Sequence, residues 1–169
     1  VYDNYGVGED GFSVSSCQFS LHYFFQDERL LNAFVRNLAE CTKLNGYFIG
    51  TCYDGNKIFD ILKDKQHEES IIIMNGSERQ FEITKMYTQT GFSPDETSLG
   101  YGINVFQDSI GNTHHEYLVN FEYFTRVMEN YGFVPLTTEE AKNVGLPNGI
   151  GNFEDIFLQM ENEVKMNDK

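Results

Sequence analysis

No stretch of this chain approaches the roughly 18 consecutive apolar residues that a bilayer-spanning helix requires, and no basic start runs into an apolar segment as a secretory signal does. The sequence reads as that of a soluble protein. Cysteine is also scarce. Cys17, Cys41 and Cys52 are odd in number and show no Cys-x-x-Cys or Cys/His ligand spacing, which argues against a disulfide framework and a zinc site and points to a reducing compartment. The third shortage is of positive charge: 12 Lys and Arg against 26 Asp and Glu give a net charge of −14. A nonspecific grip on a phosphate backbone needs cations that displace counterions, so a long nucleic-acid track is excluded. Most of the acidity reads as solubilising surface, although a negative field tolerates a cationic ligand.

What is present is enough for a core. At 169 residues and 40% hydrophobic content, the chain reads as one domain, residues 1–169. Strand and helix signals alternate in the first half, the pattern of an α/β layer architecture. Phe12–Phe19 reads as a strand, and Asp27–Cys41 as an amphipathic helix with Leu30, Leu31, Phe34, Val35 and Leu38 on one side. Gly46 marks the turn into a strand over Tyr47–Thr51, and Ile58, Phe59, Ile61 and Leu62 mark a shorter helix ending near Lys65. In the second half, Ile71–Met74, Phe81–Tyr87 and Tyr101–Phe106 are β-rich pieces separated by turn clusters, which predicts antiparallel pairing. A helix is expected over Phe121–Tyr131 with Gly132 ending it, a strand starting at Phe133-Val134, and a last helix from about Phe153 to Val164.

Ligands of open α/β sheets sit where loops diverge at the carboxyl ends of strands. Two such loops stand out, Gln18–Tyr23 and Thr51–Asn56. If the first is helical, Phe19, His22 and Tyr23 fall at i, i+3 and i+4 and share a face suited to a flat or cationic ligand. Phe24 and Phe25 read as core. His114-His115-Glu116 resembles a ligand cluster, but adjacent residues of an extended segment face opposite ways, so no metal is expected.

Three segments carry a family likeness. Phe12 to Phe25 reads Phe-Ser-Val-Ser-Ser-Cys-Gln-Phe-Ser-Leu-His-Tyr-Phe-Phe; it resembles the signature Phe-Asp-x-x-Ser-Cys-Gln-Phe-x-x-His-Tyr-x-Phe of messenger RNA cap (guanine-N7) methyltransferases. Asn45 to Thr51 is similar to the family's Gly-Gly-Tyr-Phe-Ile-Gly-Thr strand, and Glu116 to Val119 to its Glu-Phe-Leu-Val segment. The order is kept from about residue 12 to about residue 135. The Cys52-Tyr53-Asp54-Gly55 continuation resembles the versions in capping enzymes of large DNA viruses.

The resemblance implies the C-terminal portion of a Rossmann-like class I S-adenosylmethionine-dependent methyltransferase fold with an antiparallel β insertion. It implies methyl transfer from S-adenosylmethionine to N7 of the guanine of 5′-capped RNA, in a cytoplasmic or virion setting. Gln18, Phe19 and Tyr23 are the implied donor contacts, and Phe19, His22, Tyr23 and Glu116 the implied cap contacts, with Glu116 accepting from guanine N1–H and the exocyclic amine. No catalytic acid or base is implied.

Departures qualify this. The family's strand and glycine-rich turn, and the acidic residue that holds the donor's ribose, have no counterpart; Gly6, Gly8 and Gly11 form no substitute. The family's Asp after Phe is Ser13, and its Pro after Gly-Thr is replaced. The chain is therefore expected to be an incomplete methyltransferase domain that works with the missing N-terminal part of the same polypeptide, alongside triphosphatase and guanylyltransferase domains. The alternative is a non-catalytic cap-binding or stimulatory module of the same fold.

Overall fold

A computed structural model describes residues 8–167, which group into two compact units, one running up to Gly132 and one from Phe133 onward. Gly6 lies outside the described residues. Gly8 and Gly11 form a tight turn, Gly11 N–H to Gly8 C=O at 3.0 Å, and Gly11 adopts φ +80° with a Cβ direction blocked 2.8 Å away by the Lys43 nitrogen.

That turn feeds the first strand, β1 (Phe12–Gln18), which pairs in parallel with β2 (Thr42–Thr51) across the helix α1 (Glu28–Cys41). Asp27 starts α1 by accepting from Leu30 N–H at 2.8 Å, and the helix buries Leu31 and Val35. β2 begins five residues earlier than the sequence predicts. The pairing shifts register between Phe12 and Val14, and opposite that shift Asn45 takes φ +61° and Gly46 has no room for a Cβ, which would lie 2.8 Å from the Lys43 carbonyl oxygen and 3.0 Å from that of Phe12, so the strand continues through a bulge. Above β2 the rings of Phe24 and Phe34 stack at 4.1 Å, while Phe48 and Phe25 each meet Phe124 edge-on. Phe25 is thus core, while Phe24 is only half-buried.

α2 (Gly55–Ile61) follows β2 and ends before Lys65. The turn after it is held by the buried Lys85, whose Nζ donates to Leu62 O at 3.2 Å and Lys65 O at 2.8 Å. A four-stranded antiparallel sheet comes next: β3 (Ser70–Asn75), β4 (Glu78–Lys85), β5 (Gly102–Gln107) and β6 (Thr113–Tyr117), in that spatial order. Strand residues alternate sides. Ile83, Lys85, Ile103 and Val105 therefore share the inner face with Glu116, over a core completed by Leu62, Tyr87, Tyr101 and Leu118. α3 (Phe121–Glu129) is capped by Asn120, which accepts from Tyr123 N–H, and ends at Gly132 with φ +87°.

The second unit holds α4 (Thr138–Asn143) and α5 (Phe153–Asn167). No strand forms at Phe133-Val134; Pro135 follows at once and cannot donate to a ladder. α4 escapes the periodicity reading because it is six residues long, yet its capping box, Thr137 with Glu140, is written in the sequence.

Candidate functional site

Both loops singled out from the sequence leave the carboxyl ends of β1 and β2 side by side. Gln18 pairs with Thr51 in the parallel register, and the chain then turns sharply at Phe19, whose φ is +50°. That left-handed turn is held by Phe19 N–H donating to the Thr51 carbonyl at 2.9 Å and reaching its Oγ1 at 3.1 Å. Thr51 Oγ1 donates in turn to Gln18 Oε1 at 2.8 Å, and Gln18 Nε2 to Ser16 Oγ at 3.1 Å.

The segment after Phe19 is a 3-10 turn, Leu21–Gln26. His22 and Phe25, three residues apart, lie on one side of it, while Phe19, at φ +50°, precedes the segment and stays outside. Consequently the single aromatic face expected from α-helical spacing does not form. His22 points inward with Leu21 and Phe25 and is 5% exposed, whereas Phe19 and Tyr23 stay outside at 63% and 43%. His22 and Tyr23 still touch, with ring centroids 4.3 Å apart and planes tilted by 60°.

Glu116, near the end of β6, closes the site from the sheet side. His22 Nε2 lies 3.7 Å from Glu116 Oε2, and both side chains are buried. Among the described residues, neither His22 nitrogen nor Glu116 Oε2 has a hydrogen-bond partner. Burial drives each toward its neutral form: Glu116 is pushed up to about 7, and His22 is pulled down to about 4. A buried carboxyl oxygen 3.7 Å from a neutral imidazole, with no hydrogen bond made to it, is free to accept from a ligand.

The loop after β2 forms another wall. Cys52 is pushed up to about 12 by burial, reinforced by Cys17, Asp54 and Glu116 nearby. The Tyr53 hydroxyl is raised by burial and by Glu116, and it accepts a hydrogen bond from Gln107 Nε2. Asp54 caps α2, accepting from Asn56 N–H and Lys57 N–H. Gly55 runs against the segment that follows the Glu116 strand; a Cβ there would lie 2.3 Å from the Val119 carbonyl oxygen.

The sequence missed Tyr53, Gln107 and the inward face of His114. His114 pairs with Val105 on the Glu116 side of the sheet, and its Nε2 is buried without a partner, while His115 turns to the other face and meets Asn104 at 2.7 Å. Strand alternation alone would have placed His114 beside Glu116. Among the described residues no group of three or more His, Cys, Asp or Glu is arranged to hold a metal ion, and no helix is long and apolar enough to cross a membrane.

Comparison with known proteins adds the following. A family model described as mRNA (guanine-N(7))-methyltransferase domain matches residues 3–168. The chain is 31% identical over 174 residues to a probable mRNA-capping enzyme of Acanthamoeba polyphaga mimivirus, a match that covers 99% of this chain and 14% of that protein. It is 29% identical over 125 residues to the mRNA cap guanine-N(7) methyltransferase of Aspergillus niger, covering 73% of this chain and 19% of the relative. Over 50 residues it is 44% identical to the corresponding Caenorhabditis elegans methyltransferase, covering 30% of this chain and 13% of the relative. The chain thus spans less than a fifth of the length of these curated relatives.

Proposed function

This chain belongs to the mRNA (guanine-N(7))-methyltransferase domain family, and on that premise we propose that it methylates N7 of the guanine that caps RNA. The observation that carries the reading is Glu116: a buried carboxyl with an unpartnered oxygen, bordered by His22 and, through it, by the exposed ring of Tyr23. Guanine presents N1–H and an exocyclic amine side by side, the two donors such a carboxylate lacks. Adenine offers no such pair, and a site whose buried polar groups go unpaired rejects the wrong base by about 10⁴-fold.

Guanine N7 carries an exposed lone pair and loses no proton on methylation. The reaction therefore calls for in-line positioning, which can contribute roughly 7–11 kcal/mol, and for no general base. S-adenosylmethionine supplies the methyl group on a sulfonium cation. Gln18, Phe19 and Tyr23 are the residues we assign to holding it. The exposed rings suit a cation, with an attraction of about 0.5–2 kcal/mol. Gln18 fits more narrowly, since Thr51 and Ser16 already engage its carbonyl and one N–H. Phe19, His22 and Tyr23 are assigned to the guanine beside Glu116.

The parallel β1–α1–β2 unit supports a Rossmann-like frame, with the antiparallel sheet as an insertion that delivers Glu116. Phe12, Val14, Tyr47 and Ile49 on the two-stranded sheet are 42–51% exposed, which supports completion of the donor pocket by further strands of the same polypeptide. Triphosphatase and guanylyltransferase domains in that polypeptide, and a cytoplasmic place of work, belong to the same proposal.

The test is methyl transfer to guanosine-capped RNA by the intact enzyme. Wild type should yield N7-methylguanine, and Glu116→Ala should lower kcat/KM by about 10²-fold or more, as loss of charge-assisted hydrogen bonds implies, with donor affinity unchanged. Equal loss of cap and donor binding would remove Glu116 from the guanine edge, and cap binding without transfer by wild type would favour a non-catalytic module.

A further inference from the structure

Resting on the guanine reading of Glu116, we infer that on the acid side of neutrality burial holds this residue as the neutral acid until guanine enters, that it reads the base only as the carboxylate, and that binding there expels one proton to solvent. The geometry carries this. Among the described residues Glu116 Oε2 has no hydrogen-bond partner, and the basic group beside it is His22, at 3.7 Å, a ring that is itself buried with neither nitrogen hydrogen-bonded.

Among the described residues the elements around the carboxyl bring it no free countercharge. The 3-10 turn contributes His22 alone. The loop after β2 offers Cys52, Tyr53 and Asp54: two neutral groups and an acid, with Cys17 of β1 beyond Cys52. On β6 the neighbour on the same face is His114, whose Nε2 has no partner, and β5 places the apolar Ile103 directly opposite. Lys85 of β4 faces Ile103 from the other side, but its Nζ is committed to the carbonyls of Leu62 and Lys65. An ionised carboxyl here is buried without compensation, which the upward displacement of Glu116 to about 7 reflects.

Guanine changes this balance because its edge brings two N–H groups to the same oxygens. Both donors can be accepted only by the carboxylate, since the acid form keeps a proton on one of the oxygens the base must reach. The proton leaves Glu116 for solvent; guanine keeps N1–H, and no bond in the base changes. A consequence is that guanine selection weakens in acid, where the acid form dominates.

The measurement is calorimetric titration of the intact enzyme with the unmethylated dinucleotide GpppG, whose phosphates do not titrate near neutrality, in buffers of different ionisation enthalpy. Near pH 6, wild type should release about one proton per site; near pH 8 it should release almost none; and below pH 7 affinity should fall up to about tenfold per pH unit. Glu116→Gln, isosteric and unable to ionise, should bind more weakly with no proton release and a flat pH profile. Binding near pH 6 without proton release, or an unchanged pH profile in Glu116→Gln, overturns the inference while leaving the guanine reading intact. Equal GpppG affinity of wild type and Glu116→Gln at every pH overturns both.

Discussion

Phe19 shows how much of this site is decided by single residues. A phenylalanine at φ +50° sits where side chains rarely go, and it stays there because two groups of Thr51 take up its N–H. His22 and Glu116 are strained in another way, through burial without partners, and they oppose each other in pH. Glu116 ionises in the unfolded chain near 4.5 and in the fold only near 7, so the stability it favours is present in acid and is lost as pH rises through 7. His22, lowered from 6.5 to about 4, favours the fold above 6.5 and loses that contribution as pH falls through 4. Replacing Glu116 by Gln removes the first term and keeps the second. The variant's melting temperature relative to wild type should therefore rise between about pH 4.5 and 7 and level off above, as thermal melts across that range would record. A difference that stays constant with pH would mean that Glu116 ionises freely in the fold.

At the scale of elements, the frame was legible where one physical rule dominated. α1 was readable because Leu31 and Val35 recur on a helical period behind an Asp27 cap, and β1 and β2 because β-branched and aromatic residues run up to turn signals. Three features were not. The bulge at Asn45-Gly46 lengthened β2 through a register shift against β1, with Gly46 crowded by the Lys43 and Phe12 carbonyls, and strand alternation does not encode such a shift. The left-handed turn at Phe19 sets that ring outside the 3-10 segment Leu21–Gln26, so Phe19 stays exposed while His22 is buried, a split that helical spacing does not encode. Tyr53 and Gln107, 54 positions apart, meet only because the sheet brings β5 to the loop after β2. The candidate residues came from motifs, and the contact between His22 and Glu116 came from the fold. The element junction most sensitive to change is Gly55. Its Cβ direction meets the Val119 backbone at 2.3–2.7 Å, so Gly55→Ala must push α2 away from the segment that follows Glu116. Denaturant unfolding should show a loss of about 1–3 kcal/mol, the range for overpacking, with weakened guanine binding. Unchanged stability would mean that the α2–Val119 approach gives way freely.

For the whole molecule, the deciding quantity is a net charge of −14. A surface so acidic repels a polyanion, and a nucleic-acid ligand must then be gripped by groups that do not rely on counterion release. The proposed site meets that condition: a carboxyl assigned to the base-edge hydrogens, two exposed rings, and a histidine that burial keeps toward its neutral form. None of these contacts gains from low salt. Total affinity of the intact enzyme for RNA should fall as salt rises wherever other surfaces hold phosphates, but the preference for a guanosine-capped end over an uncapped triphosphate end should persist. Between about 50 and 200 mM salt, the ratio of the two affinities should change by less than about threefold, the change that one neutralised single-strand phosphate produces. Filter-binding or fluorescence titrations with the two RNA ends over that range measure the ratio directly. A ratio that collapses with salt would move cap selection from the base edge to the triphosphate, and Glu116 would cease to be the residue that recognises the cap.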